Sequence, residues 1–219
     1  MYSKHGHIVY RNKKNVLCIN KSNFKTILQN LCLNKDYTKN EDFILYSKSQ
    51  KRIKYPDSLL TKSISINEEG QVCFDFDSYH KLYYQTRMDN ENVKKITHEY
   101  FKGLLFVLRY YIDGMPDWHW FYPFNYSPFC CDMYNNIDSF DFEYIFEIHE
   151  PLNLFEQLLS VLPSSSSEIL PYSCRSLITE KTSEIIEFYP ETFKIDLEGK
   201  NQEWEGHPIL PFINLEKLK

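Results

Sequence analysis

The chain has 219 residues, of which 42% are hydrophobic and 16% aromatic, and its 25 basic and 30 acidic side chains give a net charge of −5 at pH 7. This much apolar material can build a folded core, which excludes a mainly disordered chain, and the length suits one domain or one domain with an appended subdomain. The most apolar stretch, residues 101–112, is too short to cross a bilayer, and the first residues lack the apolar core of a secretory signal, so we expect no membrane association.

The first predicted helix lies near the start of the chain, where Asn20 or Ser22 can cap it. Four apolar side chains are spaced along one face of this helix: Phe24, Ile27, Leu28 and Leu31. From residue 38 to 65 the sequence is polar and irregular, which predicts a linker or a long loop. We therefore predict a basic N-terminal helical segment and linker over residues 1–65, followed by a helical core over residues 66–219.

The strongest periodic pattern predicts a long helix in the middle of the chain, after a short strand at 71–76 and a short helix. Its apolar stripe continues over five turns: Val93, Ile96, Tyr100, Phe101, Leu104, Val107, Leu108 and Tyr111. Asp89 or Asn90 can cap its start. Gly114 followed by Pro116 is a stop signal, because Gly accepts the left-handed conformation and Pro cannot continue a helix.

The second half of the chain alternates irregular and regular elements. Residues 118–128 form an aromatic segment in which two prolines forbid a regular helix. Aromatic and acidic residues alternate over 140–148, which predicts a strand. Asn153 and Glu156 have the spacing of a capping box, which predicts a helix, and residues 192–197 predict a further strand. Together these elements predict a mainly α fold with a few short β-strands.

The aromatic segment supplies the candidates for base stacking. Flat aromatic faces can stack on unpaired bases, and the alternative is that the same rings fill the core beside the long helix. The stacking candidates are Trp118, Trp120, Tyr122 and Tyr126.

The charge is distributed unevenly along the chain. Residues 1–63 hold 13 basic and 4 acidic side chains, a net charge of +9, whereas the remaining residues have a net charge of −14. The basic third fits contact with a polyanion, and the alternative is a solvated, lysine-rich loop. Its densest part supplies the candidates for contact with a nucleic-acid backbone: Lys48, Lys51, Arg52 and Lys54.

No catalytic centre is predicted. Asp113, Asp117 and Asp132 would hold Mg²⁺ only if they converge, and acids are common at helix ends and beside prolines for backbone reasons. No Gly-rich phosphate loop is present, and His119 has no Ser or Cys nucleophile at a recognisable spacing. The six cysteines contain no CxxC pair, and we interpret them as reduced thiols. We expect no catalytic residue, no metal site and no cofactor in this chain.

Four motifs occur in a distinctive order: YYIDGMPDWHWFYPFNYSPF at residues 110–129, PLNLFEQLLSVLP at 151–163, IIEFYPETFKIDLEGK at 185–200 and WEGHPILPF at 204–212. This series resembles the second conserved, helical region of the Xrn-type 5′→3′ exoribonucleases. The match runs from about Phe76 to the end of the chain. Asp117, Asn125 and Ser127 stand where the family usually has Ser, His and Ala.

The resemblance implies a helical domain that walls the active-site pocket of a metal-dependent 5′→3′ exoribonuclease, with one tryptophan stacked on the RNA. Only that role carries over to this chain, at Trp118 or Trp120. In the family, the acids that bind Mg²⁺ and the basic pocket for the 5′-phosphate belong to a preceding conserved region, and this sequence holds no counterpart of it. We therefore expect the chain to be inactive without a separate catalytic half as its protein partner.

The resemblance leaves two functions open. The first is the RNA-enclosing portion of an Xrn-type exoribonuclease that acts on single-stranded RNA with a 5′-monophosphate, in RNA processing and decay. The second is a non-catalytic RNA-binding or protein-interaction module derived from that family. The wording of the last two motifs is closer to the nuclear branch of the family, which implies a location in the nucleus, with the cytoplasm as the alternative.

Overall fold

A computed structural model describes residues 6–33 and 52–218 of the chain. Helices predominate, which confirms the predicted fold class. The α-helices are Lys21–Leu33, Ser58–Lys62, Phe76–Arg87, the long helix Val93–Asp113, Cys130–Asn136, Leu154–Val161, Tyr172–Thr179 and Leu215–Leu218. Shorter 3-10 turns lie at Ile137–Ser139, Ser164–Ile169, Ile186–Phe188 and Glu203–Glu205. In the described part of the chain, every helix is too short or too polar to span a bilayer.

The described strands pair as three short antiparallel hairpins. The pairs are Val9–Arg11 with Leu17–Ile19, Ile64–Ile66 with Val72–Phe74, and Lys194–Asp196 with His207–Ile209. Their registers place Tyr10 opposite Cys18, Ser65 opposite Cys73 and Ile195 opposite Pro208. The second and third hairpins confirm the strands predicted within 71–76 and 192–197.

The chain divides into two compact units. Unit 1 consists of the described residues of Met1–Pro116 together with Phe121–Phe146 and Glu198–Asn201. Unit 2 consists of the described residues of Asp117–Trp120, Glu147–Leu197 and Gln202–Lys219.

The long helix is the centre of the unit 1 core. Ile96, Phe101 and Leu105 on its apolar stripe are completely buried. Further aromatic rings lie around Phe101, with ring centroids 5.3–6.3 Å away: Phe24, Phe140 and Phe142. The predicted stripe is wrong at Val107 and Tyr111, which are 53% and 80% exposed. The inward face of the long helix is therefore narrower at its end than the sequence pattern predicts.

The long helix begins and ends at specific polar and glycine residues. Asn92 caps its start by accepting hydrogen bonds from the backbone of the first turn. The predicted caps, Asp89 and Asn90, are wrong: both have positive φ angles, +48° and +56°, and form the turn that precedes the helix. Gly114 has a φ of +96° directly after the last turn, which confirms the predicted stop.

One hydrogen bond and one ion pair, both made by arginines, hold the first hairpin against the long helix within unit 1. Arg109 Nε donates to the carbonyl oxygen of Leu17 at 2.9 Å. Arg11 Nη2 lies 2.5 Å from Asp113 Oδ1. Burial lowers the pKa of Arg109, and its Nη2 has no hydrogen-bond partner in the described part of the chain. The hairpin is thus fixed to the last two turns of the helix by cations.

Two sequence predictions are wrong: the irregular segment up to residue 65 and the strand at 140–148. Asp57 accepts hydrogen bonds from the backbone nitrogens of Leu59 and Leu60 and starts a helix within the first of these segments. Both leucines are buried, so a short apolar pair anchors the helix. The residues at 140–148 form no strand. Their alternation arises because the phenylalanines are buried and the acids exposed along an irregular segment.

Unit 2 has its own apolar core. The buried residues are Leu159, Leu170, Ile178, Ile185 and Tyr189. The hydroxyl of Tyr189 donates to the carbonyl oxygen of Leu159 at 2.6 Å. Asn153 and Glu156 form the predicted capping box at the start of Leu154–Val161.

Candidate nucleic-acid interface

A buried carboxylate organises the first residues of the aromatic segment, which belong to unit 2. Asp117 is only 6% exposed, and its Oδ1 accepts from the backbone nitrogen of His119 at 2.9 Å. The same oxygen lies 2.8 Å from Nδ1 of His149. The rings of His119 and His149 stack, with centroids 4.4 Å apart and planes 16° from parallel. The backbone on both sides of Trp118 is therefore fixed.

The two candidate tryptophans differ in exposure. Trp118 is 52% exposed, whereas Trp120 is half-buried and has contacts with its surroundings. Trp118 therefore presents ring surface to solvent from a backbone turn that Asp117 holds in place.

The two candidate tyrosines belong to unit 1 and are half-buried. The hydroxyl of Tyr122 donates to the carbonyl oxygen of Tyr126 at 2.8 Å, which closes the loop between them. The Tyr122 ring packs edge-on against Tyr100 and Phe124, with centroids 5.6 and 5.4 Å apart. Burial raises the pKa of Tyr122. The rings of Tyr122 and Tyr126 therefore mainly pack against other aromatic rings, which agrees with the alternative that these residues fill the core.

A cation that the sequence pattern does not single out, Arg87, lies beside Tyr126 and Tyr83. The guanidinium carbon of Arg87 is 5.1 Å from the ring centroid of Tyr126 and 5.5 Å from that of Tyr83. Its Nη2 lies 2.7 Å from Glu198 Oε2 and 3.5 Å from Asp57 Oδ2. Glu198 is 111 residues away along the chain, so no local sequence signal reveals this group.

Two of the four backbone-contact candidates lie within the described residues. Arg52 and Lys54 are exposed, and the Nζ of Lys54 lies 4.9 Å from the ring centroid of Tyr55. The backbone nitrogen of Lys54 donates to Oδ1 of Asn201 at 3.2 Å. The other two candidates, Lys48 and Lys51, lie outside the described residues.

The three acids near the aromatic segment have separate partners. Asp113 contacts Arg11, Asp117 contacts His149, and Asp132 contacts a histidine and a tyrosine of the helix Phe76–Arg87. Mg²⁺ prefers carboxylate and water oxygens in octahedral geometry. Within residues 6–33 and 52–218, one group of three side chains has its ligand atoms close together, and it contains one carboxylate, one imidazole and one thiol. Neither the three separate acids nor this mixed group fits Mg²⁺.

Comparison with known proteins identifies a family whose sequence model matches this chain. The sequence model of the Xrn1 helical domain matches residues 11–219. The 5′-3′ exoribonuclease 2 of Schizosaccharomyces pombe is 39% identical over 178 residues, which cover 77% of this chain and 17% of that protein. The proteins of the same name from Candida albicans and Emericella nidulans are 37% and 40% identical over 174 and 167 residues. The chain spans less than one fifth of the length of these relatives.

Proposed function

Because the chain belongs to the Xrn1 helical-domain family, we propose that it is the RNA-enclosing helical portion of a 5′→3′ exoribonuclease, with Trp118 as the residue that stacks on the RNA. Its substrate is single-stranded RNA with a 5′-monophosphate, handled in RNA processing and decay. Hydrolysis requires a catalytic half with its own Mg²⁺, since the part of the chain that the structure describes offers no site that fits that ion. The observation that carries the proposal is the exposed ring of Trp118 on a fixed turn.

The turn at Asp117 supports the choice of Trp118 over the other aromatic candidates. Stacking on a base requires a free ring face, and Trp118 is the more exposed of the two tryptophans. A ring held on an ordered backbone loses less conformational entropy when it binds, which favours affinity. The rings of Tyr122 and Tyr126 already pack against other rings within unit 1, so we assign them to the stability of the loop rather than to stacking on RNA.

Exposed basic side chains support a contact between this chain and the phosphates of the RNA backbone. Arg52 and Lys54 are exposed and lie in the basic third of the sequence. Proteins that bind single-stranded nucleic acid without sequence preference combine a positively charged groove, which follows the backbone, with aromatic rings on which the bases stack. We assign Arg52 and Lys54, with Lys48 and Lys51, to phosphate contacts.

Binding of RNA tests the stacking role directly. Fluorescence anisotropy with a 5′-monophosphorylated single-stranded RNA would compare the native chain with Trp118→Ala. Loss of one stacked base costs about 1–3 kcal/mol, so affinity should fall about 5- to 150-fold. The matched control is Trp204→Ala, because Trp204 is an 81% exposed tryptophan of the same unit. Equal losses in both variants, or no loss in Trp118→Ala, would contradict the assignment.

Activity of the isolated chain tests the need for a catalytic half. The purified chain with Mg²⁺ should leave 5′-monophosphorylated RNA intact. Degradation that EDTA abolishes would show that the chain is a complete nuclease and would overturn this part of the proposal.

Purification from the native source separates this function from the alternative. A stoichiometric partner with an acid cluster and a basic pocket, identified by mass spectrometry, would support a two-part nuclease. RNA binding without such a partner would favour a non-catalytic RNA-binding module, to which the exposed Trp118 contributes equally well.

We also propose a cellular location. The relatives carry the name 5′-3′ exoribonuclease 2, and the wording of the last two motifs is closer to the nuclear branch of the family than to the cytoplasmic one. We therefore assign the chain to the nucleus. Fluorescence microscopy of a tagged chain should show nuclear signal, and an exclusively cytoplasmic signal would contradict the assignment.

A further inference from the structure

Three side chains of unit 1 that the RNA contact does not use come together from two helices. His80 lies on the helix Phe76–Arg87, and Cys131 and Asp132 lie on Cys130–Asn136. One ligand atom from each of the three lies within 4.8 Å of the other two. His80 and Asp132 are closest, with Nε2 and Oδ2 2.8 Å apart.

We propose that His80, Cys131 and Asp132 bind a divalent cation of the zinc type. A thiolate and an imidazole are the ligands that Zn²⁺ and Co²⁺ prefer, and both exclude the hard ion Mg²⁺. Three protein ligands from two helices leave a fourth coordination position for water. This site is separate from the proposed RNA contact and does not depend on it.

The observed spacing fits a small tetrahedral ion. Bonds of about 2.0–2.3 Å in tetrahedral geometry place ligand atoms about 3.3–3.8 Å apart. The observed distances are close to that range, since Nε2 of His80 and Oδ2 of Asp132 are 2.8 Å apart and no pair of ligand atoms is more than 4.8 Å apart. Side-chain adjustments of about 1 Å would bring these distances to the tetrahedral values.

The surroundings orient two of the ligands. The His80 ring stacks on Phe129, with centroids 5.3 Å apart and planes 27° from parallel. The Tyr84 hydroxyl donates to Oδ2 of Asp132 at 2.6 Å. His80 contacts the same oxygen. Hydrogen bonds of this kind, from a neighbouring residue to a ligating carboxylate, are the usual support of a metal site.

Partial exposure gives an ion a route to the site. The side chains of His80 and Asp132 are 29% and 12% exposed, so both ligands are partly open to solvent. The alternative for the same geometry is a metal-free network in which His80 and Tyr84 both hydrogen-bond to Asp132. The two readings differ in the role of Cys131, which has no part in that network.

Cobalt absorption tests the site through its thiolate. Titration of the full chain with Co²⁺ should give a sulfur-to-cobalt charge-transfer band with one ion per chain. Cys131→Ser should abolish the band and weaken binding by more than about tenfold. The matched control is Cys130→Ser, because Cys130 is the adjacent, exposed cysteine and lies outside the group. It should leave the band and the affinity unchanged.

Zinc-dependent stability gives a second measurement. Addition of Zn²⁺ should raise the melting temperature of the native chain and of Cys130→Ser, because an ion that binds only the folded state stabilises it. His80→Gln and Cys131→Ser should lose this rise, with circular dichroism showing that both variants fold. No charge-transfer band in the native chain, or an equal loss in the Cys130 and Cys131 variants, would overturn the site. RNA affinity of Cys131→Ser should stay native, so this inference and the proposed function fail independently.

Discussion

At the scale of single residues, the carboxylate of Asp117 shows how one side chain prepares a neighbour for binding. It accepts a hydrogen bond from the backbone of His119 and contacts the ring of His149. A serine hydroxyl can accept the same backbone hydrogen bond in a turn. The Ser that the family usually has at this position and the Asp found here can therefore support the same turn, while the contact with His149 requires the longer carboxylate.

Replacement of Asp117 should separate these two contacts. Asp117→Ala removes the acceptor and should lower the free energy of unfolding by about 1–3 kcal/mol, because the backbone of His119 and the ring of His149 lose their hydrogen bonds to the carboxylate. Asp117→Ser should retain the larger part of the stability, because it keeps the turn. Urea unfolding followed by circular dichroism measures both. Identical losses in the two variants would show that the turn is not what Asp117 stabilises.

The ion pair between Arg11 and Asp113 predicts a dependence on pH. The hydrogen-bonded guanidinium lowers the pKa of Asp113 below its ordinary value of 3.8. A lowered folded-state pKa stabilises the fold fully above about pH 4, and this stabilisation is lost as the pH falls through the lowered pKa. Asp113→Asn should therefore reduce the urea midpoint at pH 7, and the difference from the native chain should shrink towards pH 2. A difference that stays constant from pH 7 to pH 2 would contradict this.

At the scale of elements, the start of the long helix depends on one amide. Asn92 accepts from the backbone nitrogens of Lys94 and Lys95. Asn92→Ala should lower the free energy of unfolding by about 1 kcal/mol, because the first-turn donors lose their cap. Asn92→Asp should keep the stability, since Asp caps as well as Asn. Thermal unfolding compares the three chains, and a loss of similar size in Asn92→Asp would argue against a capping role.

The inward and outward faces of the long helix should respond differently to truncation. Leu105 is completely buried, so Leu105→Ala should cost about 2–5 kcal/mol through lost burial and a residual cavity. Val107 is 53% exposed, and Val107→Ala should change the stability by no more than about 0.5 kcal/mol. Urea unfolding measures both. Comparable losses would mean that Val107 is covered in solution.

Local signals explain which elements could be predicted from the sequence. The Asn153–Glu156 capping box and the stop at Gly114 each depend on residues within one turn, and both are confirmed. The pair of Arg87 and Glu198 and the contact of Asp117 with His149 join residues far apart in sequence, and a single sequence does not reveal them. Composition identifies the aromatic segment, but the difference in exposure between its tryptophans depends on tertiary packing.

At the scale of the whole molecule, the distribution of charge along the chain matters more for RNA binding than the net charge does. The net charge of the chain is negative, which opposes RNA, but the basic residues are concentrated in the first 63 positions. Affinity for a polyanion depends on the local density of cations rather than on net charge. We therefore expect RNA to contact the part of unit 1 that carries these basic residues.

Salt dependence measures this contribution. Each phosphate contact in a single strand adds about 0.7 to the slope of log affinity against log salt. Joint replacement of Arg52 and Lys54 by Gln should lower the slope by about 1.4. The matched control replaces Lys81 and Lys181, two exposed lysines outside the basic third, by Gln. Equal reductions in the two double variants would show that the effect of charge is not local.

Segments of the two units alternate along the sequence, and this order determines when each unit can be completed during synthesis. The segment Asp117–Trp120 belongs to unit 2 but leaves the ribosome before the rest of that unit, and Glu198–Asn201 belongs to unit 1 but leaves it late. At about 5–20 residues per second, Arg87 waits several seconds or more for its partner Glu198. A nascent chain that stops before residue 198 therefore carries the Arg87 guanidinium without that partner. Neither unit is complete until most of the chain has been made, so a single cut cannot divide the sequence into two independent modules.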